Sequence, residues 1–297
     1  VSPHSLGIAA MIGACVIWGS SPLYFSMLVH VPTGEVMAHR VIWSLVLFLG
    51  VLAVQGRLRA LPAAFARPGS RLRLTAAAFA VGSNWLLFLI AIATGQVIQS
   101  SLGYYIFPLI AVLIGTLFFG ERLRALQVAA VALAALAVLI LTLGLGVTPW
   151  FSLAIAGTFA VYSALKKGLD LPPMVSVTAE FAVLAPFAIL WLVAVPSATP
   201  AFGSDAATTA LLLGSSLVTA VPMMLFTSAA RRVDLATVGV LQYLNPTLQF
   251  LGATLILREP FTGWHVLAFS LIWTAVALYC AATLVRRRAL PGARARL

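Results

Sequence analysis

Long apolar runs, separated by short clusters of turn-forming or charged residues, organise this chain from end to end. A helix needs roughly 20 apolar residues to cross a hydrocarbon core of about 30 Å. Ten runs meet that length, at approximately 5 to 28, 33 to 55, 72 to 94, 97 to 120, 125 to 145, 149 to 167, 173 to 195, 207 to 229, 235 to 257 and 262 to 285. The breaks carry turn or charge signals such as Val31-Pro32-Thr33-Gly34, Arg67-Pro68-Gly69, Gly146-Val147-Thr148-Pro149, Leu171-Pro172-Pro173 and Glu259-Pro260. None of the runs alternates polar and apolar residues as the strands of a membrane barrel do. A chain in lipid must satisfy its backbone internally, so each run is expected to be a helix. The first has no basic segment ahead of it and reads as a retained helix, not a cleaved leader.

Composition agrees with this pattern. Of 297 residues 62% are hydrophobic and 8% charged, whereas a soluble domain carries about a quarter charged residues. There is too little polar material for a solvated shell, which excludes a soluble enzyme and a disordered chain. Cys15 and Cys280 both lie in apolar runs and imply no disulfide framework. The net charge of +11 would suggest nucleic acid only if it formed a basic face on a folded surface; here it marks topology, and no nucleic-acid partner is expected. With ten spans both termini share a side, and that side receives 16 of the 18 basic residues, Arg258 alone falling opposite and Arg40 inside the second span. By the positive-inside rule both termini are cytoplasmic in a bacterial-type inner membrane.

The chain also repeats itself. Residues 91–123 and 229–261 align at a constant shift of 138, which pairs Tyr105 with Tyr243, Pro108 with Pro246 and Glu121 with Glu259. A weaker match at a shift of 144 pairs Trp18-Gly19 with Tyr162-Ser163. Two five-helix units follow, 5–145 and 149–285, with a basic tail at 286–297. Because five is odd, the second unit must be inserted upside down. The expected fold is therefore an all-α integral membrane protein of ten transmembrane helices in two inverted five-helix repeats, as in many secondary transporters.

Several segments carry a resemblance. WGSSPLYF (18–25), HRVIWS (39–44), the stretch from SNWLLF to GERL (83–123), VYSALKK (161–167) and the stretch from VTAVPMM to REPF (218–261) resemble the RarD-like branch of the drug/metabolite transporter superfamily, built from EamA-type units. This resemblance implies a central cavity formed by helices one to four and six to nine, with helices five and ten at the periphery. It also implies export of small metabolites, the YddG-type aromatic amino-acid exporters being the best-understood relatives.

Helix faces nominate cavity residues. In the ninth span Gln242, Asn245 and Gln249 recur at i, i+3 and i+7 beside Tyr243, a face that lipid will not accept. Such amides either bond between helices or line a polar cavity. The repeat places Tyr104, Phe107 and Ala111 at the matching positions of the fourth span. Trp18 and Tyr162 lie too deep to be interfacial anchors and are either core packing or stacking surfaces, and Asn84 is a mid-depth polar group that needs a partner. Pro108 and Pro246 each remove a backbone hydrogen bond, as static kinks or as hinges.

Few ionisable groups lie within the spans. His39 and Arg40 in the second and Glu180 in the seventh are candidates for coupling or gating. Arg40 is read as snorkelling outward or pairing with Glu35. Glu180 is either neutral, held by Lys166 or Lys167, or a proton-coupling site. There is no HExxH zinc motif and no phosphate loop, so neither cofactor, metal nor nucleotide is expected. An intramembrane enzyme using Gly19-Ser20-Ser21 or Gly214-Ser215-Ser216 would need a deep base, and His265 stands too near the start of its span. The expected partners are lipid and a small-molecule substrate. The small-residue seam Ala130, Ala134 and Ala137 suits packing within a monomer as well as between monomers. Amides beside aromatic rings favour neutral aromatic or large apolar amino acids, with small hydrophobic drugs, exported with or without proton coupling, as the alternative.

Overall fold

The computed structural model describes residues 2–66, 69–119, 125–145, 149–167, 169–195, 200–233 and 235–288. Glu121 and the basic tail beyond residue 288 lie outside them. The protein is an all-helical membrane protein, and each of the ten apolar runs carries helix. In chain order these are α1 (Pro3–Ser26), α2 (Thr33–Val54), the short α3 (Ala60–Ala66), α4 (Ser70–Ala93), α5 (Val97–Phe119), α6 (Ala125–Leu145), α7 (Trp150–Lys167), α8 (Pro173–Ala194), α9 (Ala206–Ala230), α10 (Leu235–Leu241), α11 (Leu244–Leu251) and α12 (Gly263–Arg288), with a π-helical segment, Gly252–Ile256, directly after α11. Among the described residues six helices, α1, α2, α4, α5, α8 and α9, are long and apolar enough to cross a membrane. Shorter apolar stretches lie in α6 and α12.

Local chemistry fixes the helix ends. The Ser2 side chain accepts from the Ser5 N–H, and Pro3 follows it at a position that needs no intrahelical donor. Asp205 does the same for α9 by accepting from the Thr208 N–H at 2.8 Å, and these amide donors hold its carboxyl below the usual range. Pro32 and Pro172 precede α2 and α8. Between caps the helices are apolar all round, and large side chains such as Leu72, Leu117, Leu143, Val193 and Leu255 face outward, as lipid requires.

Two departures from the sequence expectation stand out. Helix α3 was not expected; it covers the connection between the second and third runs and packs on α4 and α8 through Leu61, Ala64 and Phe65. The ninth run is broken at Gln242-Tyr243, because Pro246 has no N–H to offer the Gln242 carbonyl. The Asn245 N–H takes that carbonyl instead, at 3.1 Å, in a tighter turn. Its repeat mate Pro108 stays inside the continuous α5, so the matched prolines do not act alike.

The principal packing pairs are α5 with α7, α4 with α7, α1 with α9, α2 with α8 and α9, and α1 and α5 with α11. Helices α6 and α12 pack chiefly on each other. Close approach depends on glycine at two crossings. A Cβ on Gly103 would lie 2.7 Å from the Ser152 carbonyl oxygen on α7, and one on Gly19 would lie 2.5 Å from Leu248 Cβ on α11.

Candidate functional site

The helices enclose a cavity of about 690 Å³, within the range of small-molecule sites. Its walls come from α1, α2, α4, α5, α7, α8, α9 and the α10–α11 segment, with none from α6 or α12 among the described residues. One wall is aromatic. Tyr104 and Phe107 of α5 meet Phe159 of α7 edge-on at 5.9 and 4.7 Å, and Phe159 stacks on Tyr162 at 5.7 Å. Facing residues include Trp18, which lies 6.0 Å from Phe226 of α9.

Polar groups punctuate this surface. Asn84, almost wholly buried, donates to the Ile155 carbonyl at 2.9 Å and to Thr158 Oγ1 at 3.1 Å, and accepts from the Tyr104 hydroxyl at 3.0 Å. It therefore ties α4, α5 and α7 together with its side-chain amide satisfied. Gln242, Tyr243, Asn245, Pro246 and Gln249 all line the cavity. The Gln249 amide donates to Asn245 Oδ1 at 3.0 Å, while its own Oε1 is buried without a partner.

The charged groups are arranged differently from the sequence expectation. Arg40 neither snorkels nor pairs with Glu35. Its side chain lies on the cavity wall, 6% exposed, with Nε donating to Thr219 Oγ1 at 3.0 Å. Its guanidinium carbon stands 5.1 Å from the Phe25 ring centroid and 5.0 Å from that of Trp85. Glu35 instead accepts from the Ala201 and Phe202 N–H groups at 2.8 and 3.3 Å. Glu180 lies behind the wall: Lys166 bonds to one oxygen at 2.5 Å, the Tyr162 hydroxyl donates to the other at 3.1 Å, and Ser176 donates at 3.2 Å. Of the expected alternatives, capture by Lys166 is the one the fold makes. His39 is off the wall too, stacked on Phe202 at 4.7 Å.

Thus Trp18, Arg40, Asn84, Tyr104, Phe107, Pro108, Tyr162, Gln242, Tyr243, Asn245, Pro246 and Gln249 converge on one cavity, and His39 and Glu180 do not reach it. Sequence reasoning missed several lining residues that helical spacing could have found. Val81, Trp85 and Phe88 share the Asn84 face of α4, Phe159, Ser163 and Lys166 the Tyr162 face of α7, and Thr219, Met223, Phe226, Thr227 and Ala230 one face of α9. The serines weighed as nucleophiles are spent on their own helices: Ser20 donates to Val16, Ser21 to Trp18, Ser215 to Leu212 and Ser216 to Leu213.

At the end where α2 and α5 begin, hydrogen bonds cross between the two halves of the chain. Glu259 accepts from the Val97 and Ile98 N–H groups at 2.6 and 2.8 Å, capping α5 from across the molecule. Nearby, the Tyr105 and Thr247 hydroxyls bond at 2.5 Å, and Tyr105 stacks on Tyr243. At the other end the wall includes Lys166, Pro173, Ala230 and Arg231.

The model of the EamA-like transporter family matches residues 5–143. An uncharacterized transporter of Vibrio cholerae is 37% identical over 92% of this chain and 91% of its own length. Protein RarD of Streptomyces exfoliatus is 40% identical over 92% and 87%. A solved crystal structure superposes with a TM-score of 0.64 at 20% identity, covering 96% of this chain and 99% of that one, a likeness in fold. The chain belongs to the EamA-like transporter family, among its RarD-like members. It is a membrane transporter and not an enzyme.

Proposed function

We propose that the protein is a secondary exporter that moves neutral aromatic or large apolar amino acids across the inner membrane by alternating access around this cavity. The observation that carries the reading is the cavity itself: it is lined by both halves of the chain and by residues at one end of the bundle, Lys166, Pro173, Ala230 and Arg231, while Glu259 bonds across the other end. Two inverted five-helix units, 5–145 and 149–285, would account for the packing. Exchanging the halves turns the α4–α7 pair into α9–α1, α5–α7 into α11–α1 and α2–α9 into α8–α4, and leaves α2–α8, α5–α11 and α6–α12 unchanged; all of these pairs are made. In such folds the substrate sits where the repeats meet. The end reached by the cavity adjoins the connections rich in Lys and Arg, which supports cytoplasmic termini and an inward-open form.

Capture of Glu180 by Lys166 argues against a free carboxylate that would attract drug cations or carry a proton. The test is uptake of labelled phenylalanine, tryptophan and methionine by liposomes containing the purified protein, with no energy source. Movement down the gradient, lost in Trp18→Ala and Asn245→Ala, is expected. Failure of all three to cross while a sugar phosphate or a lipophilic cation does would overturn it.

A further inference from the structure

Arg40 is a full positive charge about 10 Å along α2 from its start, at the helical rise of about 1.5 Å per residue, and therefore inside the membrane. An intramembrane cation is costly and ordinarily paired. This one faces two aromatic rings and a threonine hydroxyl, and among the described residues no carboxylate bonds to it. Its NH1 group is buried with no hydrogen-bond partner. Phe25 and Trp85 offer π-faces that soften the burial of a cation, but a π-face cannot take the in-plane N–H groups of a guanidinium. A guanidinium that lines a cavity and keeps one donor unpaired has the chemistry that matches a carboxylate, which a small rotation of the fork would engage.

The rest of the wall sharpens the chemistry. The charged residues lining the cavity are Arg40, Lys166 and Arg231, and no acidic side chain lies on it among the described residues. Glu180, the nearest carboxylate by its partners, has both oxygens occupied by Lys166, Ser176 and Tyr162. An ammonium group entering the cavity therefore meets no free counter-charge, whereas a carboxylate meets one. The aromatic wall of Tyr104, Phe107 and Phe159 supplies the apolar half of the recognition.

We propose that Arg40 is the substrate's carboxylate receptor, so that the cavity selects amphipathic monocarboxylates and needs no α-ammonium group. This rests on the reading of the cavity as the transport site and narrows its substrate: amino acids are bound through their carboxylate and side chain, and their deaminated analogues bind as well. Thr219 is a positioning residue, which holds Nε and leaves the other two nitrogens of the guanidinium for a ligand.

The experiment is calorimetric titration of the full chain in lipid nanodiscs with 3-phenylpropionate, phenylalanine, phenethylamine and acetate. Phenylpropionate and phenylalanine should bind comparably. Phenethylamine should bind at least about tenfold more weakly, the scale of one lost hydrogen bond to a charged group. Acetate, with no ring to stack, should also be weak. Arg40→Met should abolish the preference for carboxylates and Arg40→Lys should retain part of it. Comparing ligands on the unaltered protein decides the matter even if Arg40→Met does not fold. Equal binding of phenethylamine and phenylpropionate, no binding of either carboxylate, or a carboxylate preference that survives in Arg40→Met would each overturn the assignment. Liposomes that move phenylalanine without a carboxylate preference would refute Arg40 and leave the transporter reading standing. Binding that depends on Arg40, with no movement of any amino acid, would refute the transport reading alone.

Discussion

In the alternating-access cycle proposed above, the contact of Glu259 with the start of α5 has to break when that end opens, so removing it tests the proposed gate. Its two oxygens accept from two backbone N–H groups at the start of α5, 2.6 and 2.8 Å away. Hydrogen bonds to a charged group contribute about 1.5–3 kcal/mol each, and a carboxylate at a helix N-terminus gains about 0.3–1 kcal/mol more. Partial burial of the charge offsets much of this, and water replaces part of the rest on opening, so about 1 kcal/mol for the pair remains, the scale of an ordinary net hydrogen bond. Glu259→Ala should then raise the population opened at this end about fivefold. The assay is the labelling rate of Ala253→Cys, in a background lacking Cys15 and Cys280, by a membrane-impermeant thiol reagent added outside. Ala253 is fully covered beside Tyr105 in the closed form.

A second readout has a definite sign. Burial pushes the Glu259 carboxyl above its ordinary value more than the two N–H groups pull it down. The closed end therefore binds a proton more readily than a solvated Glu259 would, and its acid-favoured share of stability is lost as pH rises through the raised value. Labelling, normalised to an exposed cysteine, should fall as the outer pH is lowered into the carboxylate range, and this dependence should vanish in Glu259→Ala. Equal labelling in the two backgrounds, or a rise matched by an equal loss of thermal stability, would refute the gate.

Two further outcomes follow from the same contacts. Lys166→Met should destabilise the fold by about 3–5 kcal/mol, because it leaves Glu180 buried without its cation; the double variant with Glu180→Gln should recover most of the melting temperature. Asp205 caps α9 with a carboxyl held below the usual range by amide donors. Its contribution is present above the ordinary carboxylate pKa and lost as pH falls through the depressed one, so the protection of the Thr208 amide relative to its intrinsic exchange rate should fall there, and be low at all pH values in Asp205→Ala.

Much of the site was legible before any tertiary information. Helical spacing nominates Gln242, Asn245 and Gln249, the internal repeat carries that face to Tyr104 and Phe107, depth in the third run nominates Asn84, and all of them line the cavity. The depth of Trp18 and Tyr162 in their runs was likewise enough to separate them from interfacial anchors. The break in the ninth run was half visible, since Pro246 announces a lost hydrogen bond but not whether the helix bends or stops. Pro108, its repeat mate, lies inside one continuous helix although it removes the same kind of bond.

What the chain by itself determined, then, was the class of fold: apolar length demands spans, and the spacing of amides and rings selects their inward faces. Tertiary structure decided the partners. Arg40 and Thr219 are 179 residues apart and Glu259 and Val97 are 162 apart; no local pattern links either pair. A local reading gives Arg40 to Glu35, five residues away, yet Glu35 is turned toward the backbone of the 201–202 segment. A helix face specifies only that something polar must meet it. Which group does so depends on how helices from opposite halves cross, and that is settled by side-chain volume at close approaches such as Gly103 on Ser152 and Gly19 on Leu248.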